Sequence, residues 1–99
     1  MSETRMQIMA AIAHQRTVMT QYNGAAIKLA PHLLFERHGD LFVSALNMSK
    51  AWRTPEEQRL GQFKLAGLSE AQMLEETFAP LPGYEATLPR EGDKLVLAL

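Results

Sequence analysis

The sequence contains no cysteine, no long hydrophobic run and no excess of charge of one sign. The missing cysteines exclude disulfides and thiolate metal sites. The longest apolar runs are far shorter than a membrane span, and the amino end lacks the charged-then-apolar pattern of a signal peptide. We therefore expect a soluble, cytoplasmic protein with no membrane contact.

The charges nearly balance, because 10 Lys and Arg residues stand against 11 Asp and Glu residues. Attraction of the whole molecule to a polyanion is therefore excluded, and any nucleic-acid contact must come from a local patch. With 99 residues the chain suits one domain, 1–99, with a modest core. It is too short for a catalytic domain joined to a binding domain.

Motifs of catalytic or metal chemistry are missing as well. His14, His32 and His38 have neither metal-binding nor catalytic spacing, and such histidines are typically surface or capping residues. The sequence has no acidic triad, no glycine-framed serine and no phosphate-binding glycine loop. We expect no enzyme activity, no metal and no cofactor.

The amino-terminal third of the chain carries clear local patterns. Apolar residues recur at helical spacing from Ile8 to Ala13, which predicts a helix over 3–14. From Thr17 the residues favour β structure, and Asn23-Gly24 is the strongest short hairpin signal known. Pro31 cannot donate to a central ladder, so we expect a bend or an edge there.

A second hairpin follows, with a turn at 38–40 and a return strand at 41–46 that is apolar enough to be buried on both faces. Residues 47–58 suit a loop with a short helical turn at 55–57. A further strand is expected over 59–65. The stretch 79–92 is rich in proline and glycine, and the chain then ends in the apolar run Leu95 to Leu99.

Four short pieces of the chain occur in a definite order, namely Tyr22 in a strand-like run, Pro31 in K-L-A-P-H, the segment 39–45 and the segment 62–68. This order resembles the WYL domain, a small ligand-sensing barrel of bacterial regulators. The family's glycine turn and Trp-Tyr-Leu strand correspond to G-D-L-F-V-S-A, and its Phe-Arg-Leu-Asp-Arg-Ile signature corresponds to F-K-L-A-G-L.

The resemblance implies a fold that is mainly β with an N-terminal helix, a small, strongly bent antiparallel barrel of Sm-like or SH3-like type. The helix would cover 3–14, the barrel 17–78 and a C-terminal extension 79–99. Over 68–78 the helical spacing of apolar residues disagrees with the resemblance, which makes this stretch the last barrel strand. We predict the strand, because closure removes the open edges of a small sheet.

The resemblance also implies a ligand site. Lys64 takes the position of the first signature arginine, which helps to line the ligand face, and Arg59 would be a second cation. Tyr22 or His32 would be the neighbouring polar or stacking group. Phe42 takes the position of a tyrosine that can offer its hydroxyl to a ligand, although core packing explains a phenylalanine there better.

A second basic cluster lies just upstream, where Lys50 and Arg53 flank Trp52. Basic residues near an aromatic ring can bind a phosphate and stack a base. The same pattern is equally typical of a solvated charged loop around a half-buried tryptophan.

Two functions remain open. The first is a non-catalytic regulatory or sensor module that binds a small anionic ligand, a nucleotide or short single-stranded nucleic acid and modulates a partner, such as a separate DNA-binding protein, in transcription or defence. The alternative is a structural interaction protein without a working pocket, favoured because Phe42 lacks a hydroxyl and Gly67 replaces the second signature arginine. In either case the apolar run 95–99 and the first helix predict a homodimer.

Overall fold

The computed structural model of the protein describes residues 3–99. A helix, α1, spans Glu3–His14, as the sequence predicts. Two short 3-10 turns lie at Pro55–Glu57 and Leu65–Gly67. Six strands follow the helix: β1 Arg16–Tyr22, β2 Ala25–Arg37, β3 Asp40–Asn47, β4 Leu60–Lys64, β5 Leu68–Thr77 and β6 Lys94–Ala98. A mainly β fold with an N-terminal helix is therefore confirmed.

The strands form one antiparallel sheet in the order β4-β3-β2-β1-β5, with β6 paired to β2. The 13-residue β2 is the centre of the fold, because β3 lies along one side of it while β1 and β6 share the other side. Within residues 3–99 no ladder joins β4 to β5, so closure into a barrel stays a prediction.

Two tight turns set the first hairpins. Asn23 and Gly24 have φ of 51° and 79°, and His38 and Gly39 have 51° and 82°. Positive φ at both central residues is the geometry whose twist matches that of paired strands, and it favours Asn and Gly. Both predicted hairpins are confirmed.

Pro31 lies inside β2, at the position where the sequence predicts a bend or an edge. A register shift between Pro31 and Leu33 interrupts the ladder with β3. Such a bulge bends a strand and removes the need for a donor at proline, so the predicted bend has its physical basis here. His32 is the extra residue of this bulge.

The core lies between α1 and the side of the sheet that α1 covers, called here the inner face. Ile8, Ala11 and Ile12 of the helix are buried against strand residues that include Leu29 and Val43. We call the opposite side of the sheet the outer face. In β3 the burial predicted for both faces holds over 43–46, while Leu41 and Phe42 are half-buried.

The two C-terminal strands form by pairing with strands that are distant in the sequence. The stretch 68–77 is the strand β5, which pairs with β1, so the strand prediction is right despite the helical spacing. The apolar end of the chain, expected as part of an extension, forms β6 against β2. Its Leu97 and Leu99 pack on the core, whereas Leu95 and Val96 remain exposed. No helix within residues 3–99 reaches the length and apolar character needed to cross a membrane.

Candidate functional site

The outer face of β3 and β4 carries two of the predicted site residues. Phe42 lies directly opposite Lys64, and Ser44 lies opposite Gln62. Residues paired directly across an antiparallel ladder point to the same side of the sheet. The intervening Val43 packs in the core on the inner face, so all four of these side chains lie on the outer face.

A cleft of about 440 Å³ lies between this outer face and the residues that lead from β5 to β6. We call residues 78–93 the C-terminal segment. The side chains of Leu33, Ser44 and Gln62 come from the sheet, whereas Gln58 and Arg59 come from the loop before β4. Leu60, the first residue of β4, also lines the cleft, and the segment contributes the rest of the lining: Leu81, Pro82, Gly83, Tyr84, Glu85, Thr87 and Pro89.

His32 fastens the C-terminal segment to the sheet. Its ring is fully buried, its Nδ1 lies 2.8 Å from the Ala30 carbonyl oxygen, and its Nε2 lies 3.1 Å from the Leu81 backbone nitrogen. Because the Leu81 N–H can only donate, Nε2 must accept, and the ring is neutral with its proton on Nδ1. Burial lowers the pKa of His32 from its ordinary value, which is consistent with this neutral form.

Tyr84 and Phe78 complete the attachment around His32. The Tyr84 hydroxyl donates to the His32 carbonyl oxygen at 3.1 Å, and burial raises the pKa of this hydroxyl. The rings of Tyr84 and Phe78 lie 5.0 Å and 5.2 Å from the imidazole centroid. His32 is therefore a structural residue with both ring nitrogens engaged, and it offers no open group to a ligand.

A buried ion pair holds the other end of the segment. Arg37 donates from Nε and Nη2 to the two oxygens of Asp93, each at 2.9 Å, and the Arg90 backbone N–H donates to the same carboxylate. The hydrogen bonds from Arg37 lower the pKa of Asp93. The guanidinium also lies 5.1 Å from the ring centres of Phe35 and Phe42, which stack on each other. Phe42 is thus a packing residue in this structure.

Arg59 is the predicted site residue that lines the cleft. Its Nη1 donates to the carbonyl oxygens of Glu56 and Gln58 at 2.8 Å and 3.1 Å, which holds the guanidinium against the backbone of the loop before β4. Among the described residues of the lining, Arg59 is the one cation and Glu85 the one carboxylate. The cleft therefore combines one positive and one negative group with neutral hydrogen-bonding groups.

Lys64 and Tyr22 lie elsewhere. The Lys64 Nζ is 3.3 Å from the Asp40 carboxylate, and both side chains are half-exposed on the outer face. Tyr22 packs against the core cluster, with its ring edge-on to Phe63 at 5.3 Å. The predicted grouping of Lys64, Arg59 and Tyr22 around one ligand is therefore not formed in this structure.

Sequence reasoning missed the neutral groups of the cleft. Ser44 and Gln62 pair across the β3–β4 ladder, and Tyr84 lines the same cleft from the C-terminal segment. One signal was present, because Ser44 is a polar residue inside the apolar run L-F-V-S-A-L. The contribution of Tyr84 has no comparable signal, since it depends on the path of the segment.

Within residues 3–99 no group of three or more His, Asp or Glu side chains is placed to hold a metal ion. In comparisons with known proteins, no family model, no curated protein and no solved structure matches this chain.

Proposed function

We propose that this protein is a non-catalytic regulatory module, similar to a WYL domain, that binds a small anionic ligand in the cleft beneath the C-terminal segment. The observation that carries the proposal is the cleft itself. Its lining combines the cationic Arg59 with the hydroxyl-bearing Ser44 and the amide-bearing Gln58 and Gln62.

The volume and charge of the cleft define the ligand. A cleft of about 440 Å³ is in the range typical of small-molecule sites. The single cation, Arg59, can bind one anionic group, such as the carboxylate of a small acid or the phosphate of a mononucleotide. A nucleic-acid strand needs a row of cations along its backbone and fits this cleft less well.

The C-terminal segment offers a way to pass ligand binding to a partner. It forms one wall of the cleft, and it ends at Asp93, directly before β6. A ligand that moves residues 81–89 would act on β6 through this short connection. A partner that contacts β6, such as a separate DNA-binding protein, would then distinguish the two states.

The expected Sm-like or SH3-like barrel belongs to the same proposal. The strand order β4-β3-β2-β1-β5 and the central, bulged β2 support it. The turn at Leu65–Gly67 brings the end of β4 next to the start of β5, where Leu68 pairs with Tyr22. Closure requires only that β4 and β5 approach each other along their lengths.

Isothermal titration calorimetry, with mononucleotides and small carboxylic acids as probes, measures the affinity of the cleft for anionic ligands. A charge-assisted hydrogen bond contributes about 1.5–3 kcal/mol, so Arg59→Gln should weaken binding by roughly 10- to 100-fold. Gln62→Glu should weaken it similarly by placing a second carboxylate in the cleft. Lys94→Gln removes one charge from the exposed start of β6 and is the matched control. Equal affinity of wild type and Arg59→Gln, or no binding by either, contradicts the proposal.

A structural interaction protein is the second candidate, and β6 favours it. This strand has β2 as its ladder partner within residues 3–99, and its Leu95 and Val96 are 51% and 43% exposed. An open apolar edge is a template for another strand. We infer that a second copy pairs with it antiparallel, because Lys94 then faces Ala98 and no like charges meet.

Light scattering tests the homodimer. Val96→Lys should give a monomer at micromolar concentration, since lysine on an edge strand opposes pairing. Met6→Lys changes an exposed apolar residue of α1 and is the control, because the helix was the other predicted dimer surface. Loss of the dimer in Met6→Lys alone would assign the interface to α1, and a strictly monomeric wild type would contradict self-association.

A further inference from the structure

A second pocket lies on the other side of Arg59, in the loop between β3 and β4. It has a volume of about 380 Å³ and is lined by Lys50, Ala51, Trp52, Arg53, Glu57 and Arg59. Three of these six residues are cations and one is a carboxylate. We call it the loop pocket. Apart from Arg59, it shares no lining residue with the cleft.

The tryptophan of this pocket is held in place. The Trp52 Nε1–H donates to the Asn47 carbonyl oxygen at 3.0 Å, and the side chain is half-buried. The Lys50 Nζ lies 4.6 Å from the centre of the indole ring. This exposed lysine covers one face of the indole, and a ligand ring that stacks there takes its place.

The cations of the pocket are available to an anion. Glu57 accepts from the Arg53 backbone N–H at 3.1 Å, so this carboxylate shapes the loop without pairing with the guanidinium. Within residues 3–99 the Arg53 guanidinium has no carboxylate partner, and Arg59 uses only Nη1, on two carbonyl oxygens. Two guanidinium groups with unused donors therefore lie beside a fixed indole.

We propose that the loop pocket binds a planar aromatic anion, with its ring on the indole of Trp52 and its anionic group on Arg53 and Arg59. Stacking on an aromatic side chain requires only a flat ring, and guanidinium groups bind phosphate and carboxylate oxygens alike. The Lys50 ammonium would leave the indole face and join the cations around the anion. The ligand is therefore a ring that carries a phosphate or a carboxylate.

The fluorescence of Trp52 reports directly on this site, because it is the single tryptophan of the chain. We expect AMP to quench it saturably, with adenosine and inorganic phosphate each binding about ten-fold or more weakly, since each supplies only half of the contacts. Benzoate tests a carboxylate on a ring against the phosphate of AMP. Saturable quenching by AMP or by benzoate supports binding of an aromatic anion. The probe that binds more tightly shows whether the anionic group of the ligand is a phosphate or a carboxylate.

Variants separate this site from the cleft. Arg53→Gln should weaken AMP binding by about ten-fold, whereas Lys94→Gln should leave it unchanged. Gln62→Glu, which alters the cleft, should also leave the quenching intact. Calorimetry should show AMP binding by Gln62→Glu and its loss when Trp52→Leu is added to that variant, while circular dichroism shows an unchanged fold.

Four results would overturn the inference. They are quenching by phosphate alone as strong as that by AMP, no quenching by either ring-bearing anion, full AMP affinity in Arg53→Gln, and unchanged AMP binding when Trp52→Leu is added to Gln62→Glu. Loss of binding in Gln62→Glu together with retention in Arg53→Gln would assign the ligand to the cleft instead. Arg59 lines both sites, so the outcomes that separate them are those of Trp52 and Arg53, which do not line the cleft, and of Gln62, which does not line the loop pocket.

Discussion

Acidification should weaken the protein through His32. The buried ring accepts from the Leu81 N–H at 3.1 Å and donates to Ala30, so the folded state requires neutral imidazole. The rings of Phe78 and Tyr84 pack against the imidazole, and the Leu99 N–H and the Tyr84 hydroxyl both donate to the backbone carbonyl oxygen of His32. None of these neighbouring groups offers a carboxylate side chain to stabilise an imidazolium ion.

The sign of the effect follows from the lowered pKa. Burial lowers the pKa of His32 in the folded protein below its ordinary value of 6.5, so the unfolded chain takes up its proton first as the pH falls. Stability is therefore fully present above the ordinary value and decreases as the pH falls through it towards the folded-state pKa. The decrease from about pH 7.5 to about pH 5.5 can reach roughly 1.4 kcal/mol, the limit for a ring that takes no proton while folded.

Urea unfolding followed by circular dichroism, at about pH 7.5 and about pH 5.5, measures this decrease. His32→Gln should be less stable at both pH values but should lose most of the difference between them, because its amide oxygen can accept from Leu81 without titrating. His14→Gln, at the exposed end of α1, is the control and should keep the wild-type difference. A wild type that is equally stable at both values, or an undiminished difference in His32→Gln, would refute the reasoning.

Two further predictions concern the outer face. Asp93→Asn should lower the Tm at neutral pH, because Arg37 loses a bidentate partner. The variant should also lack the loss of stability that titration of Asp93 causes in wild type as the pH falls below 3.8, the ordinary pKa of that carboxyl. Equal Tm values at neutral pH would contradict a role for the pair. Phe42→Ala should cost about 2 kcal/mol, less than for a fully buried ring, because Phe42 is half-buried against Phe35. An unchanged urea midpoint would show that the ring contributes no packing.

The candidate site was only partly predictable. Arg59 was identified as a cation of the site, and it does line the cleft. Its predicted neighbours were placed by a sequence pattern that does not specify which face of a strand each residue occupies. Tyr22 consequently faces the core and His32 is sealed by the C-terminal segment. The polar partners of Arg59 are brought to it by a strand pairing and by a segment more than twenty residues further along the chain.

The sequence by itself determined the features that depend on a few consecutive residues. The helix over 3–14 and the hairpins at Asn23-Gly24 and His38-Gly39 follow from side-chain periodicity and from the positive φ that those turns require. Tertiary structure decided whatever depends on distant partners. Residues 68–77 have helical spacing, yet they are a strand because β1, some fifty residues earlier, offers a ladder. β6 exists for the same reason, since its backbone groups pair with β2 and its Leu97 packs against the core.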